Sequence, residues 1–118
     1  MNILDAFPHK YLKAIDIGHR EYTVTIQELR TEMLRDPHTK QPAERYVLYF
    51  EGASKGLILS PPLAHALADL HGVDTDYWPG KRITLYVEFG IPAFGKLYDV
   101  VRIRTAMRSL RNDIPTED

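Results

Sequence analysis

The chain has 118 residues, 44% of them hydrophobic, which suits one domain with a real core and argues against wholesale disorder. It has no cysteine, so disulfide scaffolds and Cys-based zinc sites are excluded, and a reducing, cytoplasmic setting is expected. A net charge of −1 and a pI near 6.5 do not by themselves point to nucleic acid; no apolar run approaches the roughly 20 residues of a membrane span, and Asp5 and Pro8 interrupt any signal-peptide core.

In chain order, YLKAIDIG (residues 11–18) reads as a short helix or irregular lead-in packing Tyr11, Leu12 and Ile15. EYTVTIQEL alternates, with Tyr22, Val24 and Ile26 on one face and Thr23, Thr25 and Gln27 on the other. It predicts a first strand running towards Met33. RDPHTKQPAE, with two prolines, reads as a loop. RYVLYFEG is a second strand, with Tyr46, Leu48 and Phe50 inward and Arg45, Val47 and Tyr49 outward. GLILS is a short third strand.

Ser60 is followed by Pro61 and Pro62, then Leu63, Leu67 and Leu70 on one stripe, then Gly72. An N-cap serine, a proline in the first turn and a glycine past the end predict a helix of about three turns. VDTDYWPG is a connection. KRITLYVEFG is a fourth strand whose Ile83, Leu85, Val87 and Phe89 face the core. Pro92 and Gly95 mark a turn, KLYDVVRIRT is a fifth strand, and AMRSLRND is a short helical end.

The order β-β-β-α-β-β predicts a mainly β fold with one helix, a five-stranded OB-fold-like barrel over residues 1–111 followed by a short acidic tail at 112–118. Ubiquitin-like and other five-strand α+β folds are the alternatives, since element order alone does not fix strand pairing.

Catalytic motifs are absent: there is no G-x-S-x-G, P-loop or dinucleotide-binding glycine pattern. Of five histidines, His65 and His71 share the helix but stand about 240° apart around its axis, so they do not form a metal face. Asp74 and Asp76 match no metal-loop spacing. The reading is a non-catalytic protein with no metal and no cofactor. A Mg²⁺- or Mn²⁺-dependent hydrolase built on Asp76 is a third, weaker reading.

Charge is unevenly spread. From Trp78 to Arg111 seven cations face two anions, Glu88 and Asp99, and the last seven residues carry three acids and no cation. On the strand faces opposite the core, Arg82, Thr84 and Tyr86 line up on the fourth strand. Tyr98, Val100, Arg102 and Arg104 do so on the fifth, and Arg45 and Tyr49 on the second, with Trp78 and Lys81 at the entrance to the fourth. Cations attract phosphates and aromatic rings stack on unpaired bases, so these nine side chains, Arg45, Tyr49, Trp78, Lys81, Arg82, Tyr86, Tyr98, Arg102 and Arg104, form the expected contact set for single-stranded nucleic acid. Val47 and Val100 on the same faces suit a homodimer seam equally well.

The stretches NILDAFPHKYLKAIDI, VLYFEGASKGLILS and DYWPGKRITLY, with GKLYDVVRIR, resemble small proteins encoded by bacteriophages and prophages near recombination or replication genes. The likeness spans most of residues 2–104. It is carried by Phe7-Pro8, Lys10-Tyr11-Leu12, Tyr49-Phe50, Trp78, Gly80-Lys81 and Arg102-Ile103-Arg104. Together with the strand order it implies an OB-fold single-stranded DNA-binding protein acting in replication or recombination in the host cytoplasm. NDIPTED also resembles the acidic tail with which bacterial single-stranded DNA-binding proteins recruit partner enzymes. Asp113-Ile114-Pro115 matches, whereas the terminal Phe is replaced by Thr116-Glu117-Asp118, which puts recruitment of host or phage replication and recombination proteins in doubt. A protein-interaction module on the same fold, as a phage assembly part or host-factor inhibitor, is the rival reading.

Overall fold

The computed structural model describes residues 11–36 and 39–105. The expected helical end at 106–113, the acidic tail, Arg108, Arg111, His9 and His38 lie outside them. Five strands, β1 (Tyr22–Arg35), β2 (Pro42–Phe50), β3 (Leu57–Ile58), β4 (Arg82–Ala93) and β5 (Lys96–Ile103), form one antiparallel sheet in the order β3-β2-β1-β4-β5. A one-turn helix, α1 (Ala14–Ile17), precedes β1, and α2 (Pro61–His71) joins β3 to β4. The mainly β class and the strand and helix order are as the sequence predicts. Among the described residues no helix is long and apolar enough to cross a membrane.

The sheet does not close into a barrel. β3 and β5 lie at its two ends, and β3 is only two residues long because Ser60 already caps α2, its Oγ accepting from the amide of Leu63. The two edges instead face each other across a groove of about 530 Å³, walled by Leu57 and Ile58 of β3, Val100 and Val101 of β5, and Leu12 and Ala14 of the lead-in.

β1 joins two hairpins, its own with β2 and the β4–β5 hairpin. It pairs with β4 only through Tyr22–Thr25, then with β2 from Ile26 to Arg35, and a bulge separates Ile26 from Glu28. Beyond that bulge the β1–β2 ribbon leaves β4 behind. The strands run several residues further than their sequence patterns, to Arg35 and from Pro42, and shrink the expected loop to Asp36–Gln41. β4 bulges too, between Glu88 and Ile91, with Gly90 at φ 72° and its amide bonded to Asp99 Oδ1 at 3.2 Å. Pro92 then sits inside β4, opposite Leu97, rather than ending it. The strand has no partner on its β1 side there, so no ladder bond is lost.

One core cluster joins Ile17, Ile26, Leu48, Phe50, Leu57, Leu63, Leu67, Trp78, Ile83, Leu85, Val87 and Ile103. Four expectations about it need correction. Phe89 is 45% exposed because the β4 bulge turns it out of the alternation. Tyr46 is 55% exposed, at the rim of a pocket it lines with Leu29, Leu59 and Trp78. Val47 is fully buried although it belongs to the outer face. A side chain at Gly56 would come within 2.6 Å of its Cγ1, so the chain at Gly56 covers it and it offers no dimer seam. In the lead-in, Ile17 rather than Ile15 reaches the core: Ile15 is 82% exposed. α1 is held by Leu12 N–H donating to Gly56 O and by a Lys55–Asp16 ion pair at 2.9 Å.

Truncating these two isoleucines therefore separates the two frames. Ile17→Ala is expected to cost about 2–5 kcal/mol in urea-induced unfolding. Ile15→Ala is expected to stay within about 0.5 kcal/mol of the parent. The reverse order would place the wrong face of α1 on the core.

Candidate nucleic-acid interface

The entrance to β4 is set by the turn Trp78-Pro79-Gly80-Lys81. Lys81 N–H donates to Trp78 O at 3.0 Å with Gly80 at φ 87°, the proline and positive-φ glycine of a type II turn. The turn drives the two ends of the segment apart in role. Trp78 goes into the core, 4% exposed, with its indole N–H bonded to Gly72 O at 2.9 Å. It is a structural plug, so its expected place among base-stacking residues is corrected. Lys81 and Arg82 stay exposed, and neither side chain has an ion pair among the described residues.

From Arg82 onward the outer face of β4 carries Thr84, Tyr86 and Glu88. The β4–β5 register sets Arg102 directly opposite Tyr86. The Arg104 guanidinium lies over the Tyr86 ring, 4.1 Å from its centroid, and also bonds Glu21. Arg102 Nε donates to Glu88 Oε1 at 2.9 Å. Four sequence-predicted residues, Arg82, Tyr86, Arg102 and Arg104, thus share one face. Phe89 adds to it unexpectedly. Its ring stacks on His19 with centroids 4.5 Å apart, and both border the small cleft lined by Tyr86, Arg104 and Glu21.

The two Arg–Glu pairs are partly solvated on both sides, and such exposed pairs contribute only about 0.2–1 kcal/mol. An incoming phosphate can replace either glutamate at small cost. A stacked guanidinium also keeps its second face, which can receive a base.

The other expected contacts lie elsewhere. Arg45 and Tyr49 are on the β1–β2 ribbon, past the point where β1 leaves β4. Arg45 stands opposite Glu32 and Tyr49 opposite Glu28. The phenols of Tyr11 and Tyr49 both donate to the Glu32 carboxylate, and Arg30 covers the Tyr49 ring at 4.6 Å. This region is a tie between the lead-in and the sheet, with carboxylates that oppose phosphate. Tyr98 faces Ile91 beyond the β4 bulge and lines the groove between the sheet edges. Asp74 caps a 3-10 turn at Thr75–Tyr77, its Oδ1 accepting from Asp76 N–H at 3.0 Å. Among the described residues no three His, Cys, Asp or Glu side chains converge on a metal-sized space.

The Glu32 tie is readable by titration. Tyr11 is pushed up from 10.0 to about 12, first by its hydrogen bond to Glu32, then by burial and by the carboxylate's charge. The folded chain keeps this proton to higher pH than the unfolded chain. The bond's stabilisation is therefore intact below pH 10 and is lost as pH rises towards about 12. Phenolate absorbance should show a late-titrating tyrosine that Glu32→Gln returns towards the ordinary range; an unchanged titration would refute the tie.

Compared with protein-family models, curated proteins and solved structures, the chain matches none, so the reading of this face rests on its own geometry.

Proposed function

We propose that the protein binds single-stranded DNA, without catalysing a reaction, along the outer face of β4 and β5. The observation that carries the proposal is the Tyr86 cluster: an aromatic ring with Arg102 opposite it in register and Arg104 stacked on it, flanked by the exposed Phe89 and by Arg82, which has no ion pair among the described residues. Single-strand binding needs cations for phosphates and π-faces for bases within one face, and this face offers both. The strand order supports a finer reading of the fold, in which the sheet is an OB-type barrel left open along the seam between β3 and β5. The resemblance to phage-encoded proteins supports a role in replication or recombination.

Fluorescence anisotropy with labelled oligo-dT tests this directly. Binding is expected to weaken steeply with salt. Tyr86→Ala should weaken it about 5- to 150-fold, the loss of one stacked base at roughly 1–3 kcal/mol. Folded protein that leaves oligo-dT unbound at low salt would end the proposal.

A protein-interaction module is the second reading, favoured by the tip of the β4–β5 hairpin, where Phe94 is 89% and Leu97 73% exposed beside the open sheet edge. It predicts a concentration-dependent dimer in light scattering that Leu97→Glu dissociates while leaving oligo-dT binding intact. A monomer at every concentration would remove that self-association.

A further inference from the structure

We propose that the cleft where the end of α2 meets the start of β4 is a subsite for one phosphoryl group. The cleft, about 390 Å³, is walled by His71 at the end of α2, Arg82, Ile83 and Thr84 of β4, Thr23 of β1 and Arg104 after β5. No carboxylate lines it among the described residues. Along the outer face beyond it, Arg102 is paired with Glu88.

Its polar groups are mostly donors in need of an acceptor. The Arg82 guanidinium offers five N–H groups and has no side-chain acceptor among the described residues. Arg104 spends Nη2 on Glu21, but its Nε is buried with no hydrogen-bond partner among the described residues, and a buried N–H lacking an acceptor is costly. Thr23 and Thr84 share one hydrogen bond, their hydroxyl oxygens 2.9 Å apart, which uses one hydroxyl hydrogen and leaves the other. His71 Nε2 contacts Arg82 O at 2.9 Å. A carbonyl oxygen only accepts, so Nε2 carries the hydrogen. Nδ1 is left to accept from a hydrogen phosphate or, when protonated, to donate to a phosphate oxygen. Two guanidinium groups, a hydroxyl and an imidazole around one cleft match the several oxygens and the charge of a phosphoryl group, and arginine is the residue best shaped for it.

The proposal rests on the single-stranded DNA reading only for the source of that phosphoryl group. Inorganic phosphate is therefore the first probe, followed by oligo-dT with and without a 5′-phosphate. In amide NMR spectra of the full chain, sodium phosphate should shift Thr23, His71, Arg82 and Thr84 saturably, and sodium chloride at equal ionic strength should not. Arg82→Gln, an exposed change that leaves the core untouched, should weaken phosphate at least about tenfold, as expected for loss of a charge-assisted contact. His71→Gln keeps a donor for Arg82 O and should give a folded protein with weaker phosphate binding. A preference for the 5′-phosphorylated oligonucleotide assigns the subsite to a strand end. Equal binding of the two, with a salt slope lowered by about 0.7 in Arg82→Gln, assigns it to a backbone phosphate.

Phosphate shifts that map elsewhere, or that persist unchanged in folded Arg82→Gln, overturn the subsite. Phosphate binding in the cleft without any oligo-dT binding keeps the subsite and removes the DNA reading. Oligo-dT binding without any phosphate response removes the subsite and keeps that reading.

Discussion

The rest of the molecule depends on how β1 divides its hydrogen bonds. Four residues, Tyr22 to Thr25, pair with β4, and everything after Ile26 belongs to β2. A sheet that kept both partners along its whole length would be a single curved surface. The bulge at Ile26–Glu28 instead adds one residue to β1, increases the local twist and lets the β1–β2 ribbon diverge. The outer surface is thereby split in two. One part, on β4–β5, holds Tyr86 among arginines; the other, on β1–β2, holds Tyr49 among glutamates. Each tyrosine carries an arginine over its ring, but the Tyr49 phenol is spent on the Glu32 carboxylate, whereas Tyr86 has a second arginine, Arg102, opposite it in register.

The charge excess visible between Trp78 and Arg111 survives in the fold only in part. Glu21, far away in sequence, reaches Arg104, and Glu88 reaches Arg102. Pairing of this kind lowers the long-range field of the face, in keeping with a chain near neutrality. It also holds the guanidinium groups in place, Arg104 over Tyr86 above all, at little energetic cost to their later exchange. On the proposed DNA reading, Lys81 and Arg82, exposed and without an ion pair among the described residues, would attract a strand that Arg102 and Arg104 would receive.

Much of the fold was legible in the sequence because its signals are local. The Ser60–Pro61 start and Gly72 end of α2, the alternation of β4 from Arg82 to Val87 and the Pro79–Gly80 turn all rest on residues that dictate their own backbone. The shared face of Tyr86 and Arg102 followed from alternation alone. What escaped was non-local. No pattern shows that β1 and β4 each carry a bulge, and a bulge inverts every later assignment. Phe89 therefore moved from core to surface. Val47 moved the other way, because burial there depends on Gly56 lying across the strand rather than on Val47's own alternation. The Thr23–Thr84 hydroxyl pair, and with it the donor-rich cleft, exists only through the β1–β4 register.

Trp78, expected among the ligand contacts but buried in the core, ties core to surface. Its indole N–H holds Gly72 O at the end of α2, and the neighbouring His71 holds Arg82 O at the start of β4. Both bonds join the same helix end to the two sides of one turn, so Trp78 in the core and Arg82 on the surface are fixed relative to each other. The tryptophan's ring is withdrawn from any ligand, yet it anchors the segment that presents Lys81 and Arg82. Side chains on an exposed strand lose less freedom on binding when their backbone is already held, and this staple supplies that restraint where Arg82, without an ion pair among the described residues, begins the face.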